Sequence, residues 1–164
     1  MSNLSLMLDM LEDDQSLKIS PIGCSMCPFF YGGRDYVYLI RPSFPLKKGD
    51  IALFQRTNGI YVIHRVYKVS KKDSQTVYYM LGDNQTWVEG PVYDSQIHAV
   101  TAQILRKGHL IDCKTNRNYR LLSWIWLHIR PLRPIFIRGW IFIKPKLHKQ
   151  QKSAILTEIK SKGE

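Results

Sequence analysis

The front two-thirds of the chain read by hydrophobic periodicity as a series of short strands separated by turn residues. Tyr36 to Ile40 is one such strand. Ile51 to Arg56 and Ile60 to Val69 flank Asn58-Gly59, the strongest short-range hairpin signal. Thr76 to Leu81 predicts another strand, followed by a loop from Gly82 to Pro91. Ile97 to Arg106 and Leu110 to Cys113 flank Lys107-Gly108, which predicts a second hairpin. Ahead of the strands, Leu4, Leu8 and Leu11 recur at helical spacing within Asn3 to Asp14, which predicts a short amphipathic helix capped by Ser2, Asn3 or Ser5. Pro21 and Gly23 then interrupt. The expected fold is mainly β, a sandwich or barrel-like body of short strands with a short N-terminal helix. No repeat of fixed period is visible.

Composition narrows the class. A chain of 164 residues, 45% hydrophobic and 12% aromatic, matches one ordinary domain with a real core. Three cysteines, an odd number, argue against a disulfide scaffold and for a reducing compartment. No uncharged apolar run reaches about 18 residues, the length a spanning helix needs. Asp9, Glu12, Asp13 and Asp14 oppose the single Lys18 within the first twenty residues, the wrong charge for a signal peptide. The expected location is therefore cytoplasmic, or peripheral on the inner face of a membrane. The net charge of +11 is confined to one end. Residues 1–100 hold 10 Lys and Arg against 10 Asp and Glu, whereas residues 101–164 hold 14 against 3. A neutral body with a basic tail suggests a folded front and a segment that meets an anionic surface.

Four short segments carry candidate chemistry. Gly23-Cys24-Ser25-Met26-Cys27-Pro28 sets a serine on a turn among apolar neighbours. Lys47-Lys48-Gly49-Asp50-Ile51 opens the first hairpin. In its return strand, period-two alternation puts Val62, His64 and Val66 on one face and Ile63, Arg65 and Tyr67 on the other. Gly82-Asp83-Asn84 follows the next strand. Taken singly, each is ordinary turn or core chemistry. Together and in this order, from about Ile22 to Lys107, they resemble the type I signal peptidase and LexA-repressor serine peptidase superfamily. The resemblance implies that Ser25 is the nucleophile. The residue before Arg65-Val66 is His64 rather than Lys, so the match is to the Ser-His branch, that of the endoplasmic-reticulum signal peptidases. That branch further implies Asp83, in Gly-Asp-Asn, as the support of His64. A second acidic position six residues on falls on Glu89, where the branch usually has Asp.

The chemistry of such a pair is simple. A serine hydroxyl is a poor nucleophile until a base takes its proton. An imidazole with an unshifted pKa near 6.5 does so at neutral pH, and a carboxylate fixes its tautomer. Backbone N–H groups around Ser25 are the expected oxyanion donors, and Met26 is expected under the nucleophile in the apolar wall. Cys24 and Cys27 form a lone Cys-x-x-Cys without the further ligands that a zinc site needs, so no metal or cofactor is expected. Asn84-Gln85-Thr86 fits a glycosylation sequon by chance. Only 24 residues precede Ser25, too few for the helix-turn-helix domain of the repressors, and no Ala-Gly self-cleavage site is available because no Ala occurs before Ala52.

The chain divides accordingly into a lead-in at 1–20, a peptidase domain at 21–113 and a basic apolar extension at 114–164. Leu121 to Ile143 is very apolar, but Arg130, Arg133, Arg138, Pro131 and Pro134 break it. Arginines are costly in the bilayer centre, whereas Trp124, Trp126 and Trp140 with flanking Arg suit the headgroup region. Residues 121–149 are thus read as a peripheral contact with anionic membrane, the alternatives being core packing or a dimer interface. No recognition motif for nucleic acid accompanies the basic charge. The expected activity is that of a serine endopeptidase acting on a leader or precursor peptide. The alternative is a non-catalytic relative that binds peptide or membrane surface.

Overall fold

A computed structural model describes Leu8, Leu11 and residues 15–129. Among these residues eight strands form one antiparallel sheet: β1 (Leu17–Ile19), β2 (Tyr36–Ile40), β3 (Ile51–Gln55), β4 (Tyr61–Lys72), β5 (Gln75–Leu81), β6 (Glu89–Tyr93), β7 (Ile97–Arg106) and β8 (His109–Asp112). They run in the order β1-β2-β7-β3-β4-β5-β6, with β8 also on β7. One helix, α1 (Arg117–His128), follows the strands. The mainly β fold is thus as the alternation predicts, and β2 and β7 have the predicted bounds.

Local turn chemistry explains the meander. Gly59 (φ +81°) closes the β3–β4 turn, with Gly59 N–H donating to Arg56 O at 2.9 Å. Lys107 and Gly108, at φ +49° and +82°, form the two-residue link between β7 and β8. Two consecutive positive φ values match the right-handed twist of the flanking strands. Asp73 and Ser74 do the same between β4 and β5, a third hairpin that lacks the usual glycine. The segment expected as loop from Gly82 to Pro91 ends differently. Its last residues begin β6, where Glu89 pairs with Met80 and Val92 with Tyr78.

β3 is buried on both faces, and this divides the core. Ile51 and Leu53 join Val37, Leu39, Ile63, Ala99 and Ile104 on one side, under Met26, Phe29 and Phe30. Ala52 and Phe54 join Val66, Tyr78, Met80, Val92 and Ile97 on the other. The helix expected over Asn3 to Asp14 lies outside the described residues apart from Leu8 and Leu11. Both of these are buried, and Leu8 belongs to the first cluster.

α1 starts where Asn116 Oδ1 accepts the N–H of Tyr119 at 2.9 Å, an ordinary N-cap. It packs Tyr119 and Leu127 inward. Tyr119 of α1 belongs to the first core cluster and Trp126 packs against it, so α1 packs on the strands beyond Cys113. The expectations for residues 130–149 lie outside the described residues. No described helix is long and apolar enough to cross a membrane.

One buried polar network crosses this core. Arg65 and Asp83 are both fully buried. Arg65 Nη2 donates to Asp83 Oδ2 at 2.7 Å and Nε donates to Oδ1 at 3.0 Å. Nη1 donates to Gly49 O at 3.0 Å, and both terminal nitrogens reach the Tyr119 hydroxyl at 3.3 Å. The guanidinium also lies 4.7 Å from the Phe29 ring centroid. Burial works against the charge of Arg65, but Asp83 and Tyr119 together outweigh it and hold the guanidinium protonated. Every donor direction of the fork is used, as a desolvated ion pair requires.

Removing one partner strands the other charge. Arg65→Met is expected to cost about 3–5 kcal/mol of folding stability. Arg65→Met combined with Asp83→Leu is expected to recover most of that loss, because neither charge is then left alone. Urea unfolding of the three proteins checks this, and a double variant as unstable as the single would contradict it.

Candidate functional site

β4 sends two consecutive polar side chains to opposite sides of the sheet. Arg65 turns to Phe29 and Tyr119, as described above. His64, with Val66, turns to the second cluster, where its ring lies 6.1 Å from that of Phe54. His64 is 1% exposed. The predicted facing of Val62, His64 and Val66 against Ile63 and Arg65 holds.

Sheet register decides which carboxylate meets His64. Val66 pairs with Met80 on β5, and Met80 pairs with Glu89 on β6. Directly paired residues share a face, so Glu89 arrives on the His64 side. His64 Nδ1 lies 3.2 Å from Glu89 Oε1. The contact is an ion-pair distance without hydrogen-bond alignment, and Nδ1 is otherwise buried and unpartnered. Glu89 is held in turn by Arg56 at the end of the β3 hairpin, through Nε to Oε2 at 2.6 Å and Nη2 to Oε1 at 2.5 Å.

The structure does not bring the Asp83 carboxylate, expected as the support of His64, to the imidazole. Both of its carboxylate oxygens are engaged by Arg65, on the other face of β4. Glu89 is the carboxylate beside the imidazole.

Ser25 sits in a run of tight turns. Gly23 has φ +91°, a conformation that favours glycine. Cys27 N–H donates to Cys24 O at 3.1 Å, and Phe29 N–H donates to Met26 O at 3.0 Å. Two other segments grip this loop. Gly32 N–H donates to Gly23 O at 2.9 Å, and the approach is so close that a Cβ on Gly32 would lie 2.5 Å from that oxygen. From the opposite strand end, Asn84 N–H donates to Ser25 O at 2.7 Å. A Cβ on Gly82 would fall 2.9 Å from the same oxygen. Trp126 Nε1 donates to Asp83 O at 2.8 Å, so α1 steadies the Gly82-Asp83-Asn84 loop.

Ser25 and His64 line a common cleft of about 540 Å³. Ile19, Pro21, Ile22, Phe30, Leu53, Tyr61, Val62 and Ile63 make most of its wall apolar, and Arg56 and Gln85 add polar groups. No hydrogen bond joins the Ser25 hydroxyl to His64 among the described residues. The backbone N–H groups of Ser25 and Met26 likewise take no acceptor among them. Met26 is 2% exposed and packs beneath the turn, where the sequence put it. Cys24 is exposed and Cys27 buried, so the Cys-x-x-Cys pair is split between two environments.

Burial pushes the pKa of His64 down to about 4; Arg56 adds to the shift, while Glu89 and Asp83 oppose it. This differs from the unshifted imidazole expected from sequence. The ring is neutral at physiological pH. Nδ1 is the ring nitrogen that faces Glu89. Arg56 was not singled out by sequence reasoning. Its position beside Asn58-Gly59 marks it only as a turn residue, and its partner Glu89 is 33 residues away. No protein-family model matches the chain, and no curated protein matches it.

The buried neutral imidazole links stability to pH. Below about pH 6.5 the unfolded chain gains a proton at His64 that the folded chain does not gain until about pH 4. Stability is therefore lost as pH falls through this window, by up to about 3 kcal/mol from this group alone. His64→Gln is expected to remove that portion of the slope in urea unfolding between pH 7 and 4. An unchanged slope would show that His64 is not buried neutral.

Proposed function

We propose that the protein is a serine endopeptidase of the signal-peptidase type, with Ser25 as nucleophile and His64 as general base. The observation that carries this reading is the shared cleft. Ser25 lies on a turn fixed from two sides, and His64 is a neutral imidazole whose far nitrogen meets Glu89. Glu89, rather than Asp83, then acts as the third member, and Arg56 fixes its orientation. Asp83 supports the site indirectly, through Arg65 and the loop that holds Ser25.

In this mechanism the Ser25 oxygen adds to a peptide carbonyl while its proton passes to His64 Nε2. The imidazolium that forms is stabilised by Glu89 at Nδ1. The carbonyl oxygen, now negative, is received by the N–H groups of Ser25 and Met26. Collapse expels the amine, which takes the proton from His64, and leaves an acyl-Ser25. Water then attacks with His64 again as base. The apolar wall suits an extended peptide segment with small or apolar side chains, such as a leader or precursor peptide. The charge of Arg56 is largely neutralised by Glu89, so the cleft does not select acidic side chains.

A peptide-binding protein without hydrolysis would use the same cleft, and one assay separates the two readings. A pool of unstructured peptides of defined sequence is incubated with the protein, and new termini are read by mass spectrometry. Ser25→Ala and His64→Ala are each expected to lower cleavage by at least about a thousandfold, and the double variant is expected to be no worse than either. Glu89→Gln should retain part of the rate. Full activity in Ser25→Ala would end the peptidase reading, and binding without cleavage by the unaltered protein would favour the alternative.

A further inference from the structure

α1 has two apolar faces, and the fold covers one of them. At about 100° per residue, Tyr119, Ser123, Trp126 and Leu127 fall on the side toward the sheet. Tyr119, Ser123 and Leu127 are buried, and Trp126 reaches Asp83 O. On the opposite side, Trp124, Leu121, Ile125 and Leu122 make a contiguous stripe. Their exposures are 59%, 58%, 40% and 59%. Single exposed hydrophobics are normal on a surface, but four large ones on one short helix form a patch that calls for a partner.

The charge around the stripe says which kind. Arg117 and Arg120, in the first turn of α1, are exposed. No Asp or Glu occurs between Asp112 and Glu158, an interval that holds ten Lys and Arg. An apolar stripe edged by a tryptophan and arginines, in a segment without acidic residues, has the chemistry of a helix lying flat at a lipid–water interface. The twelve residues of α1 span about 18 Å, too short to cross a bilayer and ample to lie along one.

We propose that the outward face of α1 docks on a bilayer containing anionic lipid, with Leu121, Leu122, Trp124 and Ile125 entering the headgroup region and Arg117 and Arg120 meeting lipid phosphates. The inward face of the same helix holds the Asp83 loop and Arg65, so the docked surface and the cleft share one rigid support. The proposal is independent of what Ser25 does.

The test is co-sedimentation of the full chain with phosphatidylcholine vesicles, with and without phosphatidylglycerol, alongside the double variant Leu121→Asn, Ile125→Asn. The unaltered protein is expected to bind the phosphatidylglycerol vesicles and to be partly released by high salt. It should bind phosphatidylcholine alone weakly. The double variant should bind at least about tenfold less well, because two apolar side chains no longer enter the interface, and its thermal midpoint should be unchanged. Absence of binding to phosphatidylglycerol vesicles would overturn the proposal, as would equal binding by the double variant. A large drop in the thermal midpoint of the variant would overturn it too, because the stripe would then be covered by the protein itself. Displacement of the protein from vesicles by duplex DNA at low concentration would assign the basic surface to nucleic acid instead.

Discussion

The buried pair of Arg65 and Asp83 is the constraint on which the geometry of the site depends. A guanidinium with no exposure to water is tolerated only where its donors are met, and here three separate parts of the chain meet them while a fourth covers its face. Asp83 comes from the loop after β5, Gly49 from the approach to β3, Tyr119 from α1, and Phe29 stacks from the turn that carries Ser25. Satisfying one charge thereby fixes the mutual position of the Ser25 turn, the central strands and the helix. The same loop reaches Ser25 directly, through Asn84 N–H to Ser25 O.

The two faces of β4 separate two electrostatic tasks. On the Arg65 side, a permanently charged pair is sealed in the core and has a structural role. On the His64 side, a titratable ring is buried beside a carboxylate that is itself shared with a half-exposed arginine. Burial lowers the basicity of His64, and Glu89 partly restores it. The balance leaves a ring that is neutral at physiological pH, with Glu89 offsetting only part of the cost of charging it.

Alternation and turn chemistry made much of the fold legible in the sequence. Asn58-Gly59 and Lys107-Gly108 announce their hairpins, and the facing of His64 and Arg65 follows from a period of two. Besides β1, whose three residues are too few to show a period, two elements were hidden for physical reasons. β6 contains Gly90-Pro91, which reads as a loop, and it becomes a strand because Glu89 and Val92 find partners on β5. α1 lacks helical periodicity because both of its faces are apolar, one toward the core and one outward. The exchange of Asp83 for Glu89 beside His64 has a similar cause. The order of the motifs supplies spacing along the chain, but only the register across β4, β5 and β6 tells which carboxylate shares a face with the imidazole.

The central claim is that His64 activates Ser25, and an activated ester tests it without knowledge of the natural substrate. On mixing with p-nitrophenyl acetate, the account predicts rapid release of nitrophenolate and transfer of the acetyl group to Ser25, located by peptide mass mapping. Ser25→Ala should abolish this adduct, and His64→Ala should slow its formation by at least about a hundredfold. Acetylation of the exposed Cys24 beside it, followed in the same maps, is expected to be unchanged in His64→Ala and serves as an internal control. Acetyl found on Cys24 and surface lysines with none on Ser25, or on Ser25 at the same rate without His64, would contradict the account.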